Sequence, residues 1–259
     1  TARSRGLGDV YKRQVPWQQF VEIYPDLESR TDWARPQIYL PVVNAHMPVH
    51  PVDAPHAGIG LDIDYLIGSC RDEANFFSAF MDLQGSQFER RARQVVAAAG
   101  ASWDDVLARY AQLRPELDTE ECFNAALGDM WFRLPSLRIA QGHQRHSKRN
   151  TYVYLFEWSS PLIGAAHALD LMVFGNGLAL PFLGAFKGYE QTATMMRKAW
   201  VAFAASGSPQ VQGQVWPPYD DKQATFSIDR SPSLLGRSYR QQFPLLEPVI
   251  QRNWLTAGL

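Results

Sequence analysis

The sequence predicts an α/β fold, and three observations support this. Two segments, Asp62–Gly68 and Thr151–Trp158, have the composition of buried strands. A block of helical patterns separates them, and a third strand-like segment, Ala224–Ile228, follows a further helix. Strands that alternate with helical segments are typical of an α/β sheet. With 259 residues, of which 46% are hydrophobic, the chain is long enough for one or two domains with a sizeable core.

Local patterns justify each element in turn. Asp62–Gly68 is a short apolar run closed by glycine, and Thr151–Trp158 is β-branched and aromatic throughout. Ser102 and Asp105 resemble a capping box, which places a helix start at residue 102. The glycine-punctuated segment Pro161–Leu180 is predicted to be a loop. The predicted helices are Val15–Arg30, Asp72–Asp82, Ser86–Ala99, Ser102–Leu113, Leu117–Phe132, Pro135–His146, Gly188–Ala205 and Tyr239–Trp254.

Composition excludes several classes of function. The chain has 25 Lys and Arg against 26 Asp and Glu, so there is no basic field for binding nucleic acid. Two cysteines, Cys70 and Cys122, are too few for a disulfide framework, and their spacing matches no zinc site. A single disulfide between them and two reduced thiols are both possible. The most apolar stretch, residues 161–186, contains two prolines and four glycines, so a membrane-spanning helix is not expected.

The first fourteen residues, TARSRGLGDVYKRQ, have four cations, one acid and no hydrophobic period. We expect them to be a non-native adaptor-derived segment, with a disordered polar arm as the alternative. Native sequence would then begin near Val15, with upstream sequence missing, and residues 15–259 would form the domain. Without the segment, 21 cations stand against 25 acids, a net charge of −4. The first apolar residues do not form the continuous apolar run of a signal peptide, so none is predicted.

Two adjacent carboxylates, Asp72 and Glu73, follow the predicted strand Asp62–Gly68. The ends of strands are where α/β proteins place functional groups. The alternative is structural: Asp72 caps the next helix and Glu73 favours its first turn.

His167 follows the second predicted strand on a glycine-flanked connection. A lone histidine in apolar sequence is most often a buried structural residue. A carboxylate on one strand-end loop and a histidine on another, however, also match the orienting acid and the base of a hydrolytic triad. Asp170, three residues later, is predicted either to help position His167 or to start a helix.

A family resemblance joins these two segments. YLIGSCRDEANFF (Tyr65–Phe77) resembles the strand and acid loop of type-B carboxylesterases, the family of carboxylesterases and cholinesterases. GAAHALDLMVFG (Gly164–Gly175) resembles their catalytic-histidine segment. Three other segments are similar in the right order, so that the resemblance covers about residues 34–230: Leu40–Pro51, Tyr152–Trp158 and Ala199–Asp220.

The resemblance implies the C-terminal portion of an α/β-hydrolase fold, with a mostly parallel central sheet flanked by helices and incomplete in this chain. It implies Glu73 as the triad acid and His167 as the base of a serine carboxylic-ester hydrolase. The expected partner is a small-molecule ester, and neither a metal nor an organic cofactor is implied. Oligomeric state and compartment stay open.

The family's nucleophile elbow, Gly-x-Ser-x-Gly, does not occur in the 259 residues, and its glycine-rich oxyanion loop is also absent. The resemblance therefore predicts that this chain alone is inactive. Two alternatives remain: a non-catalytic cholinesterase-like domain for adhesion or partner binding, and a small domain that never had an N-terminal half.

Other histidines carry weaker signals. His143 and His146 have the spacing of a metal pair on a helix, but cations crowd the same stretch, so a solvated face is expected instead. His46, His50 and His56 lie in a proline-rich segment and are assigned no role.

Overall fold

The structure is a computed structural model that describes residues 16–19, 21–22, 43–80, 82–174, 186–211, 213–235 and 246. The chain divides into two compact units, Thr1–Leu40 and Pro41–Leu259. In the first unit, residues 17–19 and 21–22 are helical, within the helix predicted for Val15–Arg30. The predicted boundary at residue 14 lies outside the described residues, as does the predicted helix Tyr239–Trp254 apart from Leu246.

The second unit contains a four-stranded mixed sheet in the order β1-β2-β3-β4. Strand β1 (Tyr65–Cys70) pairs in parallel with β2 (Thr151–Phe156), and β2 pairs in parallel with β3 (Thr225–Ile228). Strand β4 (Ser233–Leu235) is antiparallel to β3. The predicted α/β class with a mostly parallel sheet is therefore confirmed. Because β1 and β2 run in the same direction, the loops that follow them leave the sheet at the same edge.

Strand β1 lies further along the chain than predicted. Gly68, expected to close the strand, pairs with Tyr154 in its interior. A Cβ atom at Gly68 would overlap both the backbone carbonyl and the ring of Tyr154, so only glycine allows the two strands to approach here. The strand continues to Cys70, which brings its end close to the two predicted carboxylates.

Helices cover the sheet. They are α1 (Asn75–Ser78), α2 (Gln87–Ala98), α3 (Trp103–Leu113), α4 (Thr119–Gly128), α5 (Leu134–His146) and α6 (Tyr189–Ser206). Short 3₁₀ turns occur at Pro51–Asp53, Pro55–Ala57 and Leu169–Phe174. Ser102 caps α3 as predicted, its hydroxyl accepting from the N–H of Asp104, whereas a full capping box occurs at α4 between Asp118 and Glu121. No helix within these described ranges is long and apolar enough to cross a membrane.

The two helices predicted as Leu117–Phe132 and Pro135–His146 are one helical run. A wider turn of π type, Asp129–Arg133, joins α4 to α5, and the N–H of Leu134 donates to the carbonyl of Asp129 five residues earlier. Pro135 has no N–H and its ring crowds the preceding turn, which explains why the regular pattern widens here instead of continuing. We call residues 129–133 the π turn.

The core has two parts, one on each face of the sheet. Alternate residues of β2 enter them: Val153 packs with α2 to α5, whereas Tyr152 and Phe156 pack with α6. Cys122 belongs to the first part and Cys70 to the second. Both cysteines are buried and free, so a bridge between them is excluded in this structure.

Candidate active site

Glu73 lies three residues beyond the end of β1 and is held by that strand. The backbone N–H of Cys70 donates to Oε1 of Glu73 at 2.7 Å. The residue is only 5% exposed. Because one carboxylate oxygen is bound to the strand end, the other is directed by the same anchor toward the neighbouring loop.

That neighbouring loop carries His167. The Nδ1–H of His167 donates to Oε2 of Glu73 at 2.7 Å, a distance within the range for an acid that orients a histidine base. Backbone hydrogen bonds in both directions between Ser160 and Gly164 tighten the loop before the histidine. The His167 side chain is 37% exposed, against 6% for Glu73. With Nδ1 bound to the acid, Nε2 is the nitrogen free to exchange a proton.

Three aromatic rings surround the imidazole. The ring centroids of Phe132, Phe77 and Phe76 lie 4.8, 5.3 and 6.1 Å from that of His167. Phe76 and Phe77 come from α1, directly after the acid, and Phe132 comes from the π turn. The acid–imidazole pair is therefore set in an apolar surround.

The pKa of His167 is raised above its ordinary value. The hydrogen bond to Glu73 is the largest cause, burial opposes it, and the negative charges of Glu73 and Asp170 add to the increase. The pair thus stabilises the imidazolium form, which is the charged state a general base passes through.

Asp72 has a different role from Glu73 and does not cap the helix, so that expectation was wrong. The N-cap of α1 is Ala74, and the predicted helix Asp72–Asp82 is reduced to four residues. Asp72 instead pairs with Ala166 in an isolated β-bridge. Its Oδ2 forms an ion pair with Nη2 of Arg71 at 2.8 Å. Although burial favours the neutral acid, the hydrogen bond from Arg71 holds the pKa of Asp72 below its ordinary value.

Asp170 lies in the first turn of the 3₁₀ segment Leu169–Phe174, and the hydroxyl of Tyr154, from β2, donates to its Oδ2 at 3.0 Å. Its charge also acts on the pKa of His167. The position of Asp170 in the first turn agrees with the predicted start of a helix, whereas a role in positioning His167 stays a prediction. Tyr154 was not singled out in the sequence, where it is one aromatic residue among many in β2.

Sequence reasoning also missed a buried ion pair, Asp129–Arg133, in the π turn. The signal was present as an acid and a base four residues apart within an otherwise apolar stretch, GDMWFRL. Arg133 reaches the backbone of the acid loop.

His143, His50 and His56 make structural contacts away from the acid–imidazole pair. His143 is fully buried, contrary to the expected solvated face: its Nδ1 lies 2.6 Å from Oγ1 of Thr151 and its ring stacks on Tyr65. His146 is exposed as expected. Within the described part of the chain no cluster of three potential metal ligands occurs. His50 accepts from the N–H of Val52, and His56 contacts the carbonyl of Arg138.

Known proteins are similar to this chain in sequence and in fold. The phenmedipham hydrolase of Pseudarthrobacter oxydans is 28% identical over 237 residues, which is 84% of this chain and 46% of that protein. A PNB esterase structure superimposes with a TM-score of 0.70 at 22% identity, covering 90% of this chain and 48% of the other. Carboxylesterase EST55 of Geobacillus stearothermophilus gives 0.67 at 23% identity, covering 82% and 46%.

The chain thus spans about half the length of the proteins it matches. The model of the carboxylesterase family matches residues 10–244. This chain belongs to the carboxylesterase family.

Proposed function

We propose that this chain provides the base and the acid of a serine carboxylic-ester hydrolase, with His167 as base and Glu73 as acid. The observation that carries the proposal is the 2.7 Å contact between Nδ1 of His167 and Oε2 of Glu73 in a chain of the carboxylesterase family. The nucleophilic serine and the oxyanion donors would come from sequence outside these 259 residues. A small-molecule carboxylic ester is the proposed substrate.

The proposed reaction has two halves. In the first, the serine hydroxyl attacks the ester carbonyl carbon while Nε2 of His167 takes its proton, and that proton then passes to the leaving alcohol. In the second, water attacks the carbonyl carbon of the acyl-enzyme while Nε2 takes its proton, and Nε2 then passes that proton to the serine oxygen as the acyl–serine bond breaks and the acid product leaves. Glu73 keeps the imidazole in the tautomer that leaves Nε2 unprotonated and stabilises the imidazolium in both halves.

The rings of Phe76, Phe77 and Phe132 would form part of the wall beside the reacting carbonyl. We propose that Phe174, which is exposed at the end of the turn after His167, extends this wall. An apolar wall favours esters whose acyl or alcohol group is itself apolar, because such groups leave water on binding.

The test is burst-phase acylation by a p-nitrophenyl ester. The 259-residue chain should release no burst of p-nitrophenol. The polypeptide translated from the native gene with its upstream sequence should release one equivalent per molecule. In that polypeptide, His167→Gln and Glu73→Gln should each slow acylation strongly, by about 10⁴-fold if the acid acts as in known triads.

His146→Gln is the matched control, because His146 is exposed on α5 and has no contact with the pair. It should acylate like the unmodified polypeptide. A burst from the 259-residue chain alone would contradict the proposal. Upstream sequence without a Gly-x-Ser-x-Gly motif, together with no burst, would favour the non-catalytic binding domain instead.

A further inference from the structure

The π turn holds a buried network of charged and polar groups behind the acid loop. Nη1 of Arg133 lies 2.6 Å from Oδ1 of Asp129, and their side chains are 7% and 2% exposed. The hydroxyl of Tyr110, from α3, donates to Oδ2 of Asp129 at 2.5 Å. Asp129 therefore receives a donor at each oxygen, which fixes the position of Arg133.

Arg133 also binds the backbone of the acid loop, the segment 71–74 that follows β1 and carries Glu73. Its Nη2 donates to the backbone carbonyl of Arg71 at 2.8 Å and to that of Cys70 at 3.2 Å. Cys70 is the residue whose N–H binds Oε1 of Glu73. A planar guanidinium can hold a carboxylate on one side and two carbonyls on the other, which a single-point cation cannot do.

The π turn and the residue before it contact the pair at two places. A Cβ atom at Gly128, the residue before the turn, would lie 3.2 Å from Cβ of Glu73, so the helix backbone packs directly against the acid. The ring of Phe132 lies 4.8 Å from the imidazole of His167. The segment from Gly128 to the end of the π turn therefore packs against both members of the pair.

Stability alone is a weak reason for this network. Removing two charges from water is costly, and an apolar replacement of a buried ion pair is often neutral or stabilising. Turns of π type are frequent at functional sites, although Pro135 accounts for the widening of this one. The cost of the buried charges and the contacts of Arg133 with the acid loop together favour a role for the network in holding that loop.

We propose that Arg133, held by Asp129 and Tyr110, is a positioning residue that fixes Glu73 against His167. This inference rests on the proposed function, in which Glu73 orients the base. Arg133 acts through the backbone carbonyls of Cys70 and Arg71, to which its guanidinium donates.

The test is the proton affinity of His167, measured by NMR titration of the imidazole C–H signals in the complete 259-residue chain. The signal is assigned by its loss in His167→Gln. Two variants are titrated, Arg133→Met and Arg133→Lys. Arg133→Lys keeps the positive charge but lacks the paired N–H groups of the guanidinium. It provides the test if Arg133→Met does not fold.

The sign of the change separates positioning from a direct charge effect. Loss of a nearby cation alone would make His167 easier to protonate and raise its titration midpoint. Loss of the Glu73 contact would lower it. We expect both variants to bind a proton at His167 about threefold or more weakly than the unmodified chain, a change that a pKa measurement resolves readily.

Arg138→Met is the matched control. Arg138 lies on α5, forms a 2.6 Å ion pair with Asp53 and has no contact with the acid loop. It should titrate like the unmodified chain. The proposal is overturned if a folded Arg133 variant shows an unchanged or raised midpoint.

Glu73→Gln separates this failure from failure of the proposed function. If Glu73→Gln lowers the midpoint of His167 and the Arg133 variants do not, only the positioning role is lost. If Glu73→Gln leaves the midpoint unchanged, the acid–imidazole pair itself is absent, and the proposed function loses its support.

Discussion

Asp72 and Ala165 bind each other through two hydrogen bonds. The N–H of Asp72 donates to the carbonyl of Ala165 at 2.9 Å, and the N–H of Ala165 donates to Oδ2 of Asp72 at 2.9 Å. Gly164 has a positive φ of 68°, and a Cβ atom there would lie 2.6 Å from Oδ2 of Asp72. Asp72 thus joins the loop of the acid to the loop of the histidine immediately beside Glu73.

Asp72→Ala should lower the free energy of unfolding by about 1.5–3 kcal/mol, the usual contribution of hydrogen bonds to a charged group. The substitution removes the acceptor of Ala165 and the ion-pair partner of Arg71. Urea denaturation measures the loss. Asp104→Ala is the control, because its ion pair with Arg93 is exposed and should contribute less than about 1 kcal/mol. Equal losses in the two variants would show that the link between the loops is no stronger than a surface contact.

Ala168→Gly should stabilise the chain, unlike most Ala→Gly changes. Ala168, directly after His167, has a positive φ of 68°. This left-handed conformation strains alanine and is free of strain for glycine, so the substitution should raise the free energy of unfolding by about 0.5–1 kcal/mol after the entropic cost of glycine. Ala97→Gly, at an exposed position of α2, should lower it by about 1 kcal/mol. Thermal unfolding of both variants shows whether each substitution raises or lowers stability. A lower free energy of unfolding in both variants would mean that residue 168 is not strained.

The strands were predictable from sequence because their signals are local: the apolar runs of β1 and β2 are short and dense. Glu73 and His167 were singled out because they lie on the connections after these strands and match the motifs of a known family. What failed depends on contacts between distant segments. From the sequence, Gly68 was predicted to end a strand, but Tyr154 of the neighbouring strand packs over it in the strand interior. Asp72 was a candidate helix cap, but its side chain accepts a hydrogen bond from Ala165 of the other loop. A charge pattern four residues apart gave no hint that Arg133 would reach the acid loop.

His143 and His146 should differ in their effect on stability, although they share one helix. His143→Gln should lower the free energy of unfolding by about 1–3 kcal/mol, because it disturbs the contact with Thr151 and the stacking on Tyr65 inside the core. His146→Gln, on the exposed side, should change it by less than about 0.5 kcal/mol. Urea denaturation at pH 8, where a lowered pKa keeps His143 neutral, compares them. Similar effects would contradict the buried position of His143.

The contribution of His167 to stability should decrease as the pH rises. Its pKa in the folded chain is raised, first by the hydrogen bond to Glu73, so the folded state binds this proton more tightly than the unfolded state does. The stabilisation is therefore complete below the unfolded value of about 6.5 and is lost as the pH rises through the folded pKa. The difference in free energy of unfolding between the unmodified chain and His167→Gln should be largest near pH 5.5 and should shrink toward pH 9. His143 should show the opposite trend, since burial lowers its pKa and its contribution is lost on acidification. Denaturation curves for the three chains at several pH values measure both trends. A difference for His167→Gln that grows with pH would mean that the imidazolium form is not the one that the folded state prefers.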